Sequence, residues 1–222
     1  MNYDFNIILI GAGDSSVEVV DYLLNDKNFN TKLFSISIYD DNFKNKKFFK
    51  KLSIRIKLNK IKKLKFTKAK NTKYLITFGN TKLRKKYELI LLKKKLNLFK
   101  LIHSSAQISK TAKIGNGSIV APLCVVGSYA TINKNVYINS GALIGHHTQI
   151  KKNSVISPNC FFGGNVSIGN ENFVGGGTII YPGVKILNNC KIVAGSSITK
   201  NVASNSFVYG NPAKMVKNHI KD

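Results

Sequence analysis

The stretch INSGALIGHHTQIKKNSVISPNCFFGGNVSI, residues 138–168, decides the fold. A large apolar residue returns at every sixth position, through Ile138, Ile144, Ile150, Ile156, Phe162 and Ile168. Four residues after each of the first five stands a smaller one: Ala142, Thr148, Ser154, Cys160 and Val166. An α-helix repeats its faces every 3.6 residues and a flat strand every two, so neither carries a period of six. Short strands joined by tight corners do, with one large and one small side chain pointing inward per segment. That is the pattern of a β-helix built from hexapeptides.

Followed outward, the large register runs without a miss over seventeen residues from Ile102 to Ile198 and is expected to close at Ser204. The small series runs from Ala106 to Val202, and only Asn172 in it is not small. Three hexapeptides make one triangular coil, so the repeat predicts between five and six coils, stacked about 4.8 Å apart like paired strands. The register leaves no room for a long inserted loop. Any active site must therefore be built from corners, and a smooth prism needs a neighbouring subunit to make a groove, which predicts an oligomer.

The chain has 222 residues. With the repeat starting near residue 101, two domains are predicted, 1–100 and 101–222. Cys124, Cys160 and Cys190 all fall in the small inward slot. They read as buried thiols acting as small hydrophobes, not as an exposed thiolate nucleophile. No apolar run approaches a membrane span, and no basic secretory leader precedes Asp4, so a cytoplasmic protein is expected. The net charge is +25, but only Arg55 and Arg84 are arginine. Arginine is the residue suited to bidentate phosphate and base recognition, so nucleic acid is not the expected partner. The densest basic run, Lys44–Lys73, holds 14 basic residues and no acid. It reads as a solvated face that also attracts anionic ligands such as nucleotides and coenzyme A.

Residues 5–10, FNIILI, read as a buried parallel strand followed by a turn at Gly11-Ala12-Gly13. Asp14 or Ser15 is expected to cap a helix over about Val17–Leu24. A second strand is expected over Leu33–Tyr39, ending at Asp40-Asp41, and a third over Tyr74–Phe78. The latter leads through Gly79-Asn80 into a helix from Lys82 to about Lys95. This is a small Rossmann-like α/β unit. Residues 42–71 give no clear pattern beyond an edge strand somewhere in 52–58. Gly11-x-Gly13-x-x-Ser16 lacks the third glycine of the dinucleotide fingerprint. It is either a plain strand-to-helix turn or a phosphate cradle of backbone N–H groups, and the acidic pair after the second strand favours the cradle.

Of the four histidines, His146 lies at an outward corner position, and Gly164 follows it by one coil. An imidazole can accept a proton from an attacking amine, and a glycine N–H can approach a thioester oxygen closely. The plain alternative is that His146 and His147 are solvated corner residues, and spacing alone does not choose. His103 and His219 lie too far from this pair for a zinc site, so no metal is expected.

Gly11-Ala12-Gly13, Asp40-Asp41, Gly79-Asn80 with Arg84, Leu101-Ile102-His103, the His146 corner and Gly210-Asn211-Pro212-Ala213-Lys214 follow one another along the chain. In this order the chain resembles the bacterial sugar acetyltransferases that join a small nucleotide-binding domain to a left-handed β-helix. That group includes N-acetyltransferases for nucleotide-linked 4-amino-4,6-dideoxy sugars and relatives that O-acetylate sialic acid. The resemblance implies a homotrimer, acetyl-CoA as donor and His146 as general base. It implies Asn139 near the reacting sugar, and Gly164 and Ala194 amides facing the thioester and pantetheine arm. Gly210, Asn211, Pro212 and Ala213 would lie near the far end of the coenzyme. Gly11, Gly13, Ser15, Asp40, Asp41 and Asn80 would hold a nucleotide-linked amino sugar.

Two positions depart from that family. The first turn reads Asp14-Ser15-Ser16 where a histidine is often found. The catalytic histidine is followed by His147 where an acid is usual, so either a carboxylate elsewhere serves, or transfer runs with a less basic imidazole, or His147 is itself the base. The expected activity is acetyl-CoA-dependent N-acetylation of a nucleotide-linked amino-dideoxy sugar for surface glycan synthesis, UDP-linked on the strength of the resemblance. O-acetylation of a sugar, or a non-catalytic binding module, are the alternatives.

Overall fold

The computed structural model describes residues 5–27, 29, 34–43, 45–52, 56–96 and 98–216. Two compact units are present, one formed by residues up to Gly79 with Leu83–Phe99, the other by Asn80–Lys82 with residues from Lys100 onward.

The first unit is a four-stranded parallel sheet. In chain order its elements are β1 (Phe5–Ile10), α1 (Asp14–Asn25), β2 (Phe34–Tyr39), α2 (Lys46–Leu52), β3 (Ile56–Asn59), β4 (Thr72–Ile76) and α3 (Thr81–Lys93). The spatial order is β3-β2-β1-β4. The uninterrupted apolar run of β1 is explained by its central place, with Ile7, Leu9 and Ile10 fully buried. Ile8 and Ile10 share a cluster with Tyr74, Ile76 and Leu91.

Several boundaries differ from expectation. Helix α1 starts three residues earlier than predicted, and its N-cap is Gly13, with no side-chain cap bond from Asp14 or Ser15. Strand β4 starts at Thr72 and ends at Ile76, two residues before Phe78. Helix α3 stops at Lys93 because Lys95 is left-handed (φ 56°). There the Lys95 N–H bonds Leu92 O and the Leu96 N–H bonds Leu91 O, a helix-ending pair that satisfies two terminal carbonyls. The edge strand is β3, paired in parallel with β2. The lysine-rich α2 before it was not legible as a helix; its Phe49 is buried at 1% exposure. Leu33, expected in the second strand, and residues 53–55 lie outside the described residues.

The second unit is a left-handed parallel β-helix of two-residue strands on three faces. The first face runs from Leu101–Ile102 to Lys191–Ile192, the second from Gln107–Ile108 to Ser197–Ile198, and the third from Lys113–Ile114 to Lys185–Ile186. Strands pair with their counterparts 18 residues on, as Tyr137 with Val155 and Leu143 with Phe161. Ile138, Ile144, Ile150, Ile156, Phe162 and Ile168 are all fully buried.

The small slots do more than fit. Polar residues there donate to a corner carbonyl fifteen residues on: Ser118 to Asn133 (2.7 Å), Cys124 to Asn139 (3.1 Å), Thr148 to Gly163 (3.1 Å), Ser154 to Gly169 (3.0 Å) and Cys160 to Gly175 (3.2 Å). Asn172 fits because both ends of its amide are used, on Leu187 O (2.8 Å) and the Cys190 N–H (2.7 Å). Each bond satisfies a backbone carbonyl or, for Cys190, an N–H turned into the core.

The register ends at Ile198, not at Ser204. Val202 bridges Ile186, sixteen residues away, and Phe207 pairs with Lys191 at the same spacing. The corner after Ile198 is short by two residues, so Val202 and Ser206 take the inward positions. Strand Phe207–Tyr209 then pairs antiparallel with Lys214–Val216.

Candidate functional site

The three edges of the prism are four-residue corners. The second edge, between the second and third faces, carries His146 and Gly164. His146 and His147 are the middle residues of the corner 145–148, and both are exposed. His147 has φ 58°, the conformation also taken by Tyr129 and Asn165 at the same corner position in the adjacent coils. Its ring stacks on Tyr129, with centroids 5.0 Å apart and planes at 23°. The two imidazoles stand nearly perpendicular, at 86°, with Nδ1 to Nδ1 at 3.1 Å. The other side of the His146 ring faces Gly164. A Cβ there would overlap the imidazole, meeting Nε2 and Cε1 first. Only glycine lets the ring and this backbone lie together.

The Gly164 N–H bonds no partner among the described residues. Its direction is set from inside the prism. The carbonyl of the same peptide, Gly163 C=O, accepts from the buried Thr148 hydroxyl at 3.1 Å. In a trans peptide the N–H points opposite to the C=O, so the Gly164 N–H points outward. The inward slots on this edge are Ala112, Ala130, Thr148, Val166 and Val184, and Thr148 alone brings a hydroxyl. A basic nitrogen and an oriented amide donor thus stand side by side, as attack of an amine on an acyl carbonyl requires.

Asn139 and Ala194 lie on the first edge, across the second face from His146, so the structure does not bring them into contact with it. The Asn139 side chain is half-buried and accepts the Ser140 N–H at 2.8 Å. The Val193 carbonyl accepts from Ser196 Oγ (2.7 Å) and Thr178 Oγ1 (3.4 Å), which turns the Ala194 N–H outward by the same logic. Gly210–Ala213 runs along the last strand of the second face, since Ser197 N–H donates to Gly210 O and Ala213 N–H to Ser197 O, each 3.0 Å. The Asn211–Pro212 bond is cis. Between the two edges Leu143, Phe161 and Ile179 stand in register, 37%, 45% and 46% exposed, an apolar strip that ends at this motif.

In the first unit, the β1–α1 turn is tied down tightly. Gly11 has φ 121°, and a Cβ there would press on Thr77 Oγ1. Ser16, in the third fingerprint position, is fully buried and its hydroxyl lies within hydrogen-bond distance of both Gly11 O (2.7 Å) and Thr77 Oγ1 (2.8 Å). The missing glycine is thus a structural hydroxyl bridging the ends of β1 and β4. A Cβ on Gly13 would meet nothing within 4 Å, so the space before α1 is open, and Ser15 lies against Gly79. Asp40 is already engaged, accepting from the N–H groups of Ala12 (2.6 Å), Asp41 (2.7 Å) and Asn42 (3.1 Å). Asp41 is the exposed member of the pair. Asn80 precedes α3. The fully buried Arg84 spans back to Ile76 O (2.8 Å) and Phe78 O (3.1 Å), fixing the turn that carries Gly79. Thr77, Tyr129 and Thr148 were not singled out from sequence; a lone hydroxyl among the apolar slots of one edge is the signal that marks Thr148.

Burial pushes the Cys124 and Cys160 thiols up to about 11 and raises Cys190 as well, so none is a thiolate at neutral pH. Among the described residues no three His, Cys, Asp or Glu gather as a metal site, and no helix is long and apolar enough to cross a membrane.

Comparison with known proteins bears out the resemblance in both parts of the chain. Residues 6–88 match the PglD N-terminal domain, and residues 99–208 match the GMPPB C-terminal domain. The chain therefore joins a PglD-type N-terminal domain to a left-handed β-helix. Similar solved structures include the acetyltransferase domain of PglB from Neisseria gonorrhoeae in complex with acetyl coenzyme A, at 23% identity, covering 97% of this chain and 100% of that one with a TM-score of 0.82. PerB from Caulobacter crescentus, in complex with CoA and GDP-perosamine, is 20% identical over 95% and 97% of the two chains, TM-score 0.78. WeeI from Acinetobacter baumannii is 19% identical over 96% and 100%, TM-score 0.61. Among curated proteins none matches.

Proposed function

We propose that the protein is an acetyl-CoA-dependent N-acetyltransferase acting on a nucleotide-linked amino sugar. The observation that carries this reading is the His146–Gly164 pair: a ring nitrogen directed at a glycine whose N–H is turned outward. The amine nitrogen attacks the thioester carbonyl carbon and gives up a proton to His146 Nε2. The oxyanion forms against the Gly164 N–H. The C–S bond then breaks, and the proton held on Nε2 passes to sulfur, releasing the coenzyme A thiol. No acyl-enzyme is needed, since the three thiols are buried and protonated.

The apolar strip of Leu143, Phe161 and Ile179 is the surface for the pantetheine arm and a neighbouring subunit, with the Ala194 amide facing that arm and Gly210–Ala213 toward the coenzyme's far end. A homotrimer, with a site at each subunit boundary, is the assembly this reading requires. Asn139 is assigned to the acceptor on the β-helix side, and Gly11, Gly13, Ser15, Asp41 and Asn80 are separately assigned to the nucleotide sugar. Asp40 acts there indirectly, by fixing the turn. The similar PglB and PerB structures are complexes with acetyl coenzyme A and with CoA and GDP-perosamine, which supports the donor and acceptor class. The test is coenzyme A thiol release with a panel of UDP-, dTDP- and GDP-linked amino sugars, with mass spectrometry of the product. Wild-type turnover by His146→Ala would remove the base assignment. Acetylation of a hydroxyl acceptor alone would favour the O-acetyltransferase reading.

A further inference from the structure

The geometry points to His147 as a positioning residue, the neutral hydrogen-bond acceptor that holds His146 in the one tautomer able to act as a base. This deepens the proposed function and rests on it for its kinetic consequence, not for its structural one.

A general base on a histidine needs a partner that fixes the proton on the far ring nitrogen. A carboxylate does this in many sites. Here the second unit contains one acid among its described residues, Glu171, and it lies on the third edge, in the row of Asn135, Asn153 and Asn189. The group that meets His146 Nδ1 is instead the Nδ1 of His147, at 3.1 Å. A hydrogen bond between two ring nitrogens holds one proton, so the pair has two neutral arrangements. In one, His146 Nδ1–H donates, His147 is protonated on Nε2, and His146 Nε2 is an open lone pair at Gly164. In the other, His147 donates and His146 Nε2 carries a proton, which leaves no base. When His146 takes the amine proton on Nε2, its Nδ1–H donates to neutral His147 as a charge-assisted bond, the stronger kind.

The placement of His147 is held from three sides. Its backbone is in the left-handed corner conformation, its N–H donates to Ser128 O at 2.8 Å, and its ring stacks on Tyr129. Tyr129 thereby serves as the platform that aims the His147 ring edge at its neighbour. An aromatic side chain is tolerated in this conformation, since Tyr129 itself has φ 60°.

The test reads the tautomers directly. In protein labelled with ¹⁵N-histidine, ring nitrogen shifts at neutral pH should show His146 as Nδ1–H and His147 as Nε2–H, and His147→Phe should abolish the His146 Nδ1–H preference. His147→Glu and His147→Asn, which offer an oxygen acceptor, should restore it. In turnover, His147→Phe should lower kcat by about 10- to 100-fold, the range seen when an orienting partner is lost. KM for acetyl-CoA should stay unchanged, and the Glu variant should recover most of the rate. Unaltered kcat in His147→Phe, or a wild-type His146 protonated on Nε2, overturns the inference. The tautomer measurement needs no acceptor sugar. A protein with the expected shifts but no sugar acetylation would refute the proposed function and leave the imidazole pair standing.

Discussion

Replacing Gly164 with alanine separates the chemistry of the second edge from its stability. The three atoms nearest the added Cβ would all belong to the His146 imidazole. Gly164 is not in the left-handed region, so alanine fits its backbone. The imidazole is the exposed end of a side chain and swings away, at a cost of about 0.5–1.5 kcal/mol for an off-rotamer ring. Alanine also restricts the unfolded chain, which returns about 0.4–1 kcal/mol. The thermal midpoint should therefore barely move. Activity should fall steeply, because a reacting group displaced by about 1 Å loses on the order of 100-fold, equivalent to about 2.7 kcal/mol in the barrier. Gly145→Ala is the contrast. Its Cβ would strike Gly163 and Phe162 backbone atoms at 2.7–2.8 Å, which cannot swing aside. That variant should lose about 1–3 kcal/mol of stability, as overpacked sites do. Thiol release at saturating acetyl-CoA and thermal unfolding, measured on both variants, decide the matter. Wild-type kcat in Gly164→Ala, or a melting loss equal to that of Gly145→Ala, would refute the reasoning.

Thr148→Val should cost about 1 kcal/mol for the lost buried hydrogen bond. It should also lower kcat while leaving KM for acetyl-CoA in place, because the Gly164 N–H loses its aim; equal effects of Thr148→Val and Ser154→Val on kcat would contradict this. Cys124 and Cys160, raised to about 11 from 9.0, should make the β-helix lose stability at high pH. The folded state holds the thiol protons longer than the unfolded chain, so each contribution is complete below pH 9 and lost as pH rises through 11. It amounts to about 3 kcal/mol per thiol by linkage; denaturant titrations at pH 8 and 11 with Cys160→Ala should show a flatter profile than wild type. Ser16→Ala should destabilise the first unit by about 1–3 kcal/mol, since Gly11 O and Thr77 Oγ1 lose a buried partner; an unchanged melting transition would show the bridge to be dispensable.

The repeat domain was legible because its period is written in large inward residues whose identity hardly matters beyond size. What the period could not convey is which glycine does what. Gly145, Gly163 and Gly175 are needed because the next coil's backbone or ring presses on them, while Gly164 is needed because a histidine does. In one dimension all four look alike. The register also misplaced Ser204, since a corner can lose two residues without any change in local composition. In the first unit the strands announced themselves as apolar runs, but α2, KKFFKKL, is too short and too basic to show a face. The acidic pair was read as two equivalent ligands. The structure divides the labour, with Asp40 bonded to backbone and Asp41 exposed, a difference set by chain geometry and invisible in two adjacent aspartates. The contact of His147 with His146 was not legible, because a side chain's partner is decided by the corner conformation it adopts.

The hydroxyl of Thr148 gives the prism an address. Every coil repeats the same outward amide on the same edge, so by backbone alone a reacting centre has no reason to sit at one level and not another. Moving the histidine–glycine pair one coil toward the N-terminus would require histidine at Ser128 and glycine at His146. It would place Ala130 where Thr148 now stands, so no hydroxyl would reach the Gly145 carbonyl, which keeps only the Thr148 N–H at 3.4 Å. One coil the other way, Val166 would take that place. If His146 and Gly164 form the proposed reacting centre, its level along a translationally uniform rod is marked by one inward side chain.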